Sequence, residues 1–373
     1  MKPRDPDPRA ADPRAPSSAP GVPATPLAPD VRAAAIASAS RGLRQEAPLL
    51  AGVLAALLAL TWAFAGDSFA LNILATAFLL GGVATAWNII GGLGGQFSLG
   101  HSVFFALGAY LTANLVLHAG VSPWLALAPA AALAAGAAAL VSWPVFRLKG
   151  PFFAIATLAV TEVMLSLSIY FDGITGGSQG LSIPFRRGFW NMIFVDRMSY
   201  ALLMLGFLAV CLLAMIVVAR SRLGYRLRAV RDNEDAARAA GIDVLRVKLV
   251  GMAVSAALTG VGGALFLMQV RVVDPPALYS LFDVGVKVAL LALIGGIGTT
   301  YGPLLGALLV IPLESWLRAE LGGALPGMNL AVLGLVLILT ALFLRRGIVG
   351  AARDLRLPGL GPRRMRPAGE GAR

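Results

Sequence analysis

The sequence predicts an all-α polytopic membrane protein, and three observations support that prediction. Of the 373 residues, 58% are hydrophobic and only 13% are charged, whereas a soluble domain carries roughly 25% charged residues. Asp, Glu, Lys and Arg are absent between Asp67 and Arg147, and long apolar runs recur along the chain. A soluble fold could not cover so much apolar surface with polar side chains, but a bilayer accommodates it. An ordinary soluble enzyme is therefore excluded.

The apolar runs predict about ten transmembrane helices, because roughly 20 residues are needed to cross the hydrocarbon core. Two runs, 102–118 and 303–318, are short for a full crossing, so we expect one or both to be tilted, broken or re-entrant. If two of the predicted helices do not cross the membrane, the number of crossings stays even. The prediction therefore covers about 8–10 transmembrane helices. The predicted helices lie at 47–65, 69–90, 102–118, 124–146, 151–170, 199–219, 248–270, 282–298, 303–318 and 328–344.

The two ends of the chain differ from the apolar middle. Residues 1–46 contain nine prolines between Pro3 and Pro29. Such a segment cannot bury enough apolar area to fold, so it predicts a disordered tail. Residues 47–345 form the predicted transmembrane domain, and residues 346–373 form a basic tail.

The distribution of positive charge predicts the orientation. Lys and Arg concentrate in residues 147–150, in residues 220–248, and in the tail from Arg345, which holds eight arginines. Cytoplasmic loops of membrane proteins carry such an excess, so we expect both termini in the cytoplasm. The excess of Lys and Arg in cytoplasmic segments also explains the net charge of +12. We therefore expect this chain to interact with the lipid bilayer and not with nucleic acid.

The chain is poor in residues for metal or nucleotide chemistry. It has one cysteine, Cys211, and two histidines, His101 and His118, too few for a metal site without help from carboxylates. No Gly-Lys-Ser or Gly-Lys-Thr sequence occurs, so the chain is not expected to bind ATP through a P-loop. We predict no metal, no cofactor and no catalytic residue on this chain.

A glycine-rich stretch between two apolar runs is the first candidate for a polar path. Glycine is unfavourable inside a helix and frees the backbone for other conformations. Unpaired backbone groups at membrane depth are tolerated where protein or water satisfies them. We expect a broken or re-entrant element, although a glycine-rich turn or close helix packing would give the same sequence. The candidate residues are Gly91, Gly92, Gly94, Gly95, Gln96, Ser98 and His101.

A short internal repeat accompanies this stretch. Residues Ile90–Gly94 read Ile-Gly-Gly-Leu-Gly, and residues Ile294–Gly298 read Ile-Gly-Gly-Ile-Gly. Transporters are often built from duplicated halves whose interrupted helices meet at the substrate path. Five residues can also match by chance, so duplication and coincidence both stay open.

Charged side chains inside the predicted helices are further candidates, because intramembrane charge is costly and usually faces a cavity or a partner. Asp283 and Lys287 lie four residues apart and can form a structural ion pair on one helix face. Glu162 fits either a helix–helix hydrogen bond or the lining of a polar path. Glu314 is expected near the membrane interface.

Two loops complete the set of candidates. The sequence Thr175-Gly176-Gly177 lies in a long loop and suits a turn that accepts or passes on a polar ligand. Residues 225–240 fit one helix that ends at a C-cap glycine, Gly241. A solvated basic loop would explain its charges, but not its order of acidic residue, two alanines, three residues and glycine. Glu234, Asp235, Ala236, Ala237 and Gly241 carry that order.

The last pattern resembles the cytoplasmic signature of bacterial ABC importer permeases. Three other segments strengthen the resemblance: Gly91–Tyr110, Phe152–Glu162 followed by Thr175-Gly176-Gly177, and Gly295–Leu308. In this order they make the chain similar to branched-chain amino-acid ABC importer permeases of the LivM type. One departure is Asp235, which stands where the general signature has Glu, directly after Glu234.

The resemblance implies an ABC importer permease fold in the bacterial inner membrane, with no enzymatic activity on this chain. It implies a second homologous permease, two cytoplasmic ATPases that bind ATP and Mg²⁺, and a periplasmic amino-acid-binding protein. The segment from Glu234 to Gly241 would be the ATPase-coupling loop within residues 220–248. The glycine-rich stretch, Glu162 and Thr175–Gly177 would lie near the translocation path.

Other functions stay open at this stage. A urea, short-amide or sugar ABC permease would share the glycine-rich and coupling-loop features. A self-contained secondary carrier or channel would need ionisable residues along its path, and few are available. A membrane-embedded enzyme is disfavoured because the sequence offers no Ser/His/Asp or multi-histidine pattern.

Overall fold

The computed structural model describes residues 29–148, 150–321, 334–335 and 347–350. The chain divides into two compact units, Met1–Arg41 and Gly42–Arg373. The described residues of the first unit, 29–41, are helical, and the packing and the site described below belong to the second. The predicted helix 328–344 and the basic tail fall almost entirely outside the described residues.

The described chain is almost entirely helical. Its α-helices are α1 Pro29–Ala63, α2 Ser68–Asn88, α3 His101–His118, α4 Pro123–Val145, α5 Pro151–Tyr170, α6 Asp172–Thr175, α7 Arg197–Arg220, α8 Arg222–Asp232, α9 Glu234–Ala239, α10 Val244–Val270, α11 Pro275–Leu278, α12 Lys287–Gly295 and α13 Gly302–Leu321. Two π-helical segments, Ile89–Leu93 and Leu281–Val286, and two 3₁₀ turns, Gly177–Gln179 and Phe189–Asn191, lie between them. The strands β1 Leu181–Ser182 and β2 Val272–Val273 pair antiparallel.

Seven stretches of the described chain are long and apolar enough to cross a membrane. They lie in α1, α2, α4, α5, α7 and α10 and in residues Pro275–Gly295. The two helices that the sequence marked as short, α3 and α13, are not among the seven. Histidines at both ends of α3, and three charged residues near the end of α13, lower their apolar character. The multi-pass membrane architecture is confirmed, with fewer clear crossings in the described residues than the ten predicted.

Two predicted boundaries need correction. Helix α1 begins at Pro29, so residues 29–46 are helical where the sequence predicted a disordered tail, because this part is rich in alanine and arginine, which favour helix. The predicted helix 282–298 is a π-helical segment followed by α12, which ends at Gly295.

Helix α2 lies at the centre of the fold. All of its residues from Ala77 to Asn88 are buried, and α7, α10, α12 and α13 pack around it. Helix α10 also packs against α3 and α4. Where α3 crosses α10, a Cβ atom on Gly108 would lie 2.0 Å from the Gly260 carbonyl oxygen, so the two backbones touch. Small residues allow such close helix packing in membranes.

The helices give the molecule two ends. Helix α7 leads from the loop that holds β1 to α8, and α10 leads from α9 to β2. We call these the α8–α9 end and the β1–β2 end. Both glycine-rich repeats lie at the α8–α9 end, where Arg231 of α8 contacts Gly92.

Candidate functional site

The first glycine-rich segment ends α2 with the π-helical turn Ile89–Leu93. The Trp87 indole occupies the space beside Gly91, because a Cβ atom there would lie 2.5 Å from the ring. The indole Nε1 donates to the Ser98 carbonyl oxygen at 2.7 Å. Glycine at position 91 thus lets the tryptophan fold over the end of its own helix and fix the following loop.

The second glycine-rich segment joins the first through one side chain, Asn88. Its Nδ2 donates to the Thr299 carbonyl oxygen at 2.8 Å, and its Oδ1 accepts from the Gly298 N–H at 2.8 Å. A Cβ atom on Gly92 would lie 2.6 Å from the Gly298 nitrogen. The two sequences that resemble each other therefore lie in direct contact. We call residues 88–95 and 295–299 together the glycine junction.

His101 lies in the protein interior beside the junction and is fully buried. Its Nδ1 lies 3.2 Å from Ser98 Oγ, and its Nε2 lies 2.9 Å from Ser255 Oγ. The Ser255 hydroxyl donates to the Ala86 carbonyl oxygen, so its oxygen is left to accept from Nε2–H. These contacts fit a proton on Nε2, and the side chain ties α3 to α10.

Gln96 is half-buried, and its amide donates to the Gly94 carbonyl oxygen at 3.3 Å. Of the predicted path residues, the structure brings together Gly91, Gly92, Gly94, Gly95, Gln96, Ser98 and His101. Among the described residues, no three His, Cys, Asp or Glu side chains cluster in a way that could hold a metal ion.

Thr175-Gly176-Gly177 lies instead at the β1–β2 end, in a compact turn after α6. The Thr175 hydroxyl donates to carbonyl oxygens of Ser168 and Phe171 and accepts from the Gly177 N–H at 3.2 Å. Gly176 has φ +72 and its Cβ position is filled by the Gly180 carbonyl oxygen, 2.0 Å away. The threonine hydroxyl thus holds the turn against the end of α5. Glycine at position 176 allows the backbone of the turn to pack closely on itself.

Glu162 is exposed on α5, apart from the glycine junction. The opposite face of α5 is buried, and there the Thr157 hydroxyl oxygen accepts from the Leu99 N–H at 3.0 Å. Helix α5 therefore contacts the loop after the junction with its threonine face. Glu162 lies on the face that the described chain leaves open.

The predicted single helix over 225–240 is wrong in one respect, because it is two helices that meet at Asn233. This residue has extended backbone angles, and its Oδ1 accepts from the Asp235 and Ala236 N–H groups at 3.0 Å. Asn followed by two acidic residues is an N-cap pattern that the sequence offers and the single-helix prediction overlooked.

The predicted end of this element at Gly241 is confirmed. Gly241 has φ +79, its N–H donates to the Arg238 carbonyl oxygen, and the Ile242 N–H donates to the Ala237 carbonyl oxygen. This pair of hydrogen bonds is a Schellman motif, for which glycine is favoured. Ala237 is buried, whereas Asp235, Ala236 and Gly241 are exposed and Asp235 pairs with Arg238 at 2.7 Å.

Two side chains that sequence reasoning missed, Arg231 and Lys248, hold α8 and α9 against the transmembrane helices. Arg231 Nη1 donates to the Gly92 carbonyl oxygen at 3.1 Å. Glu234 pairs with Lys248 of α10, whose side chain is only 1% exposed and lies over the Phe146 ring. These contacts join residues far apart in sequence, so residue spacing gave no signal for them.

A second group of charges lies nearer the β1–β2 end. Lys287 pairs with Asp283 at 3.4 Å and with Glu314 at 3.0 Å, and Arg318 pairs with Glu314 at 2.8 Å. The expected Asp283–Lys287 ion pair is thus confirmed within a larger network of zero net charge. The network borders a cavity of about 550 Å³ with mainly apolar walls.

Comparison with known proteins gives a family. The family described as branched-chain amino acid transport system / permease component matches residues 69–341. The chain belongs to this permease family. No solved structure matches it significantly.

Three relatives show the range of this permease family. The high-affinity branched-chain amino acid permease protein LivM of Escherichia coli K12 is 30% identical over 284 residues, 70% of this chain and 66% of LivM. The match thus spans just under two thirds of that relative. LivH of the same organism is 25% identical over 72% of this chain and 90% of its own length. The nucleoside ABC transporter permease NupC of Lactococcus lactis is 26% identical, over 76% and 95% respectively.

Proposed function

We propose that this chain is a membrane-spanning permease subunit of an ATP-driven ABC importer for branched-chain and related hydrophobic amino acids. The main support is the family match over residues 69–341, which includes both glycine-rich segments and the α8–α9 element. In this proposal the chain lies in the bacterial inner membrane with both termini in the cytoplasm, and a second homologous permease completes the translocation path.

ATP and Mg²⁺ are bound by two partner ATPases on the cytoplasmic side, and a periplasmic binding protein delivers the amino acid. The α8–α9 element, as the coupling loop, docks on an ATPase through the exposed part of α9. The Asn233 cap and the Gly241 Schellman motif support this role, because they stabilise the two ends of α9. A helix this short would not be stable through the helix propensity of its residues alone.

Glu162 supports a second permease beside α5. A carboxylate exposed to lipid at the centre of a membrane costs about 2.5–3.5 kcal/mol or more. The described chain leaves Glu162 uncovered, together with apolar neighbours such as Val163, which is 58% exposed. We propose that this face of α5 meets the second permease and contributes Glu162 to a water-containing path.

The glycine junction suits the needs of a zwitterionic amino acid. The translocation path must offer hydrogen-bond partners to the ammonium and carboxylate groups of the substrate for a short time only. A fixed buried charge would bind one of these groups too tightly for the substrate to leave. Backbone groups at interrupted helices provide such weak, reversible partners. Helix ends near Gly92 and Gly298 are therefore proposed to border the cytoplasmic part of the path, while Thr175–Gly177 lies at the periplasmic end.

Nucleoside import is the second candidate, because the nucleoside permease NupC is matched over 95% of its length. Urea and sugar import remain alternatives on the ABC permease plan. All of them share the coupling role of α9, so substrate and coupling need separate tests.

The test is uptake of labelled leucine, adenosine, urea and ribose by cells that lack only this chain. We expect loss of leucine uptake, restored by the wild type and not by Gly241→Trp, whose side chain would project from the exposed end of α9. Gly120→Trp is the matched control, because Gly120 also has a positive φ of +61 and open space at its Cβ position, and it lies in the turn between α3 and α4. Loss of adenosine uptake alone would identify nucleosides, and not amino acids, as the substrate. Normal uptake with Gly241→Trp present at wild-type levels would refute the coupling role.

A further inference from the structure

Three contacts hold Arg231 of α8 against the glycine junction and fix the direction of its side chain. Its Nη1 donates to the Gly92 carbonyl oxygen at 3.1 Å. Its aliphatic stem fills the space beside Gly95, where a Cβ atom would lie 2.5 Å from Arg231 Cγ. Its Nε and Nη2 both donate to one carboxylate oxygen of Asp232 at 3.0 Å, which fixes the orientation of the guanidinium.

The electrostatics of the junction favour a cation at this place. Helix α2 and its π-helical turn end at Leu93, and α12 ends at Gly295. Asn88 holds the chain after α12 against the end of α2. The carbonyl ends of two helices therefore converge, and each carries about half a negative charge. The Arg231 guanidinium is the cation that the structure supplies to the Gly92 carbonyl oxygen.

The contacts form a continuous connection between two distant parts of the chain. Arg231 lies 139 residues from Gly92, and Asn88 lies 210 residues from Gly298. Gly92 leaves no space for a side chain between Asn88 and Gly298. A displacement of α8 would thus act on the end of α2 through Arg231, and on the segment after α12 through Asn88.

We propose that Arg231 is a positioning residue that transmits movement of the α8–α9 element to both glycine-rich segments. The proposal rests on the proposed function, since it requires that an ATPase moves α9. It adds the route: Arg231 moves the Gly92 carbonyl, and the Asn88 side chain makes the end of α2 and residues 298–299 move as one unit. Both segments then open or close the same end of the path together.

The test uses the assembled transporter, copurified from its native membrane through a tag on this chain and reconstituted in liposomes. Arg231→Gln removes the charge and keeps one amide donor. Loss of a hydrogen bond from a charged group changes an equilibrium constant about tenfold or more. We therefore expect leucine uptake per ATP hydrolysed to fall about tenfold in Arg231→Gln, while the ATPase subunits still copurify and hydrolyse ATP. Arg231→Lys should restore part of the coupling. Arg222→Gln is the matched control, since Arg222 is exposed on the same helix.

A second readout does not depend on the substrate. In a Cys211→Ala background, which removes the sole cysteine, Ile297→Cys places a thiol at a position that is 43% exposed within the second glycine-rich segment. We expect ATP to change its rate of maleimide labelling in the otherwise native and Arg222→Gln proteins, and not in Arg231→Gln.

The two readouts separate this proposal from the proposed function. An ATP-dependent labelling change that Arg231→Gln abolishes supports the connection, even if leucine is not transported. Equal labelling changes in Arg231→Gln and Arg222→Gln, or equal ratios of uptake to hydrolysis, would overturn it. Loss of ATPase copurification in Arg231→Gln alone would overturn it as well, because the residue would then serve assembly.

Discussion

The two glycine-rich segments are nearly identical in sequence, yet they use their glycines differently. In Ile90–Gly94 side chains lie nearest to the first two glycines: the Trp87 ring fills the space beside Gly91, and Asn88, together with the Gly298 backbone, fills the space beside Gly92. In Ile294–Gly298 the first glycine makes room for backbone only, since a Cβ atom on Gly295 would lie 1.7 Å from the Gly302 carbonyl oxygen. The same residue pattern therefore supports a π-helical turn in one place and a tight connection to the next helix in the other.

This difference follows from the neighbours of each segment. Bulky aromatic and amide side chains precede the first, whereas a short connection to α13, which begins at Gly302, follows the second. A side chain can change its rotamer to relieve a clash, but two packed backbones can only separate. Substitutions should therefore be tolerated unequally in the two segments.

The largest effect is expected for Gly295→Ala. Its methyl group would overlap the Gly302 backbone, and separating α12 from α13 should cost about 3 kcal/mol of the free energy of unfolding. The apparent Tm in detergent micelles measures the loss. Gly136→Ala is the control, because its position in α4 is open and alanine favours helix. An equal Tm for the two variants would contradict the backbone contact.

A smaller and reversible effect is expected for Gly91→Ala. Here the clash is with the Trp87 ring, and forcing the ring aside should cost about 2 kcal/mol. Because a side chain causes the clash, Trp87→Leu should relieve part of it, and a double-mutant cycle on the apparent free energy measures that coupling. Coupling indistinguishable from zero would show that the indole does not limit position 91.

Asn88→Ala tests the bond between the two segments. The methyl side chain leaves the Gly298 N–H and the Thr299 carbonyl oxygen without their common partner, so we expect a cost of about 2 kcal/mol. Asn72→Ala, on the exposed part of the same helix, should change the apparent Tm little. If both variants lose the same stability, Asn88 does not join the segments as the structure indicates.

Much of the fold was predictable because it depends on local composition. Long apolar runs mark helices whatever their partners are, and Gly241 ends α9 through hydrogen bonds that reach only to Ala237 and Arg238. The break at Asn233 was also present in the sequence, as a cap followed by acidic residues, and it was overlooked because the whole run has helical composition.

The connections of the site could not be predicted in this way. Arg231 is one of eight basic residues in its segment, and nothing in their spacing marks the one that reaches Gly92. The repeat suggested that two segments are related, but their contact depends on Asn88, which lies outside the repeated residues. Tertiary packing selects these side chains, and a single sequence does not record that packing.

The smallest effect is expected for Gly298→Ala, and it completes the comparison. Gly298 has φ +77, and a Cβ atom there would lie 3.4 Å from the Gly92 carbonyl oxygen, an ordinary contact. Only the left-handed backbone conformation then opposes alanine, at a cost of about 1–2 kcal/mol. Asparagine tolerates this conformation better, so Gly298→Asn should have the higher apparent Tm of the two. The reverse order, with alanine better tolerated, would mean that space and not backbone conformation requires glycine at this position, as it does at Gly295.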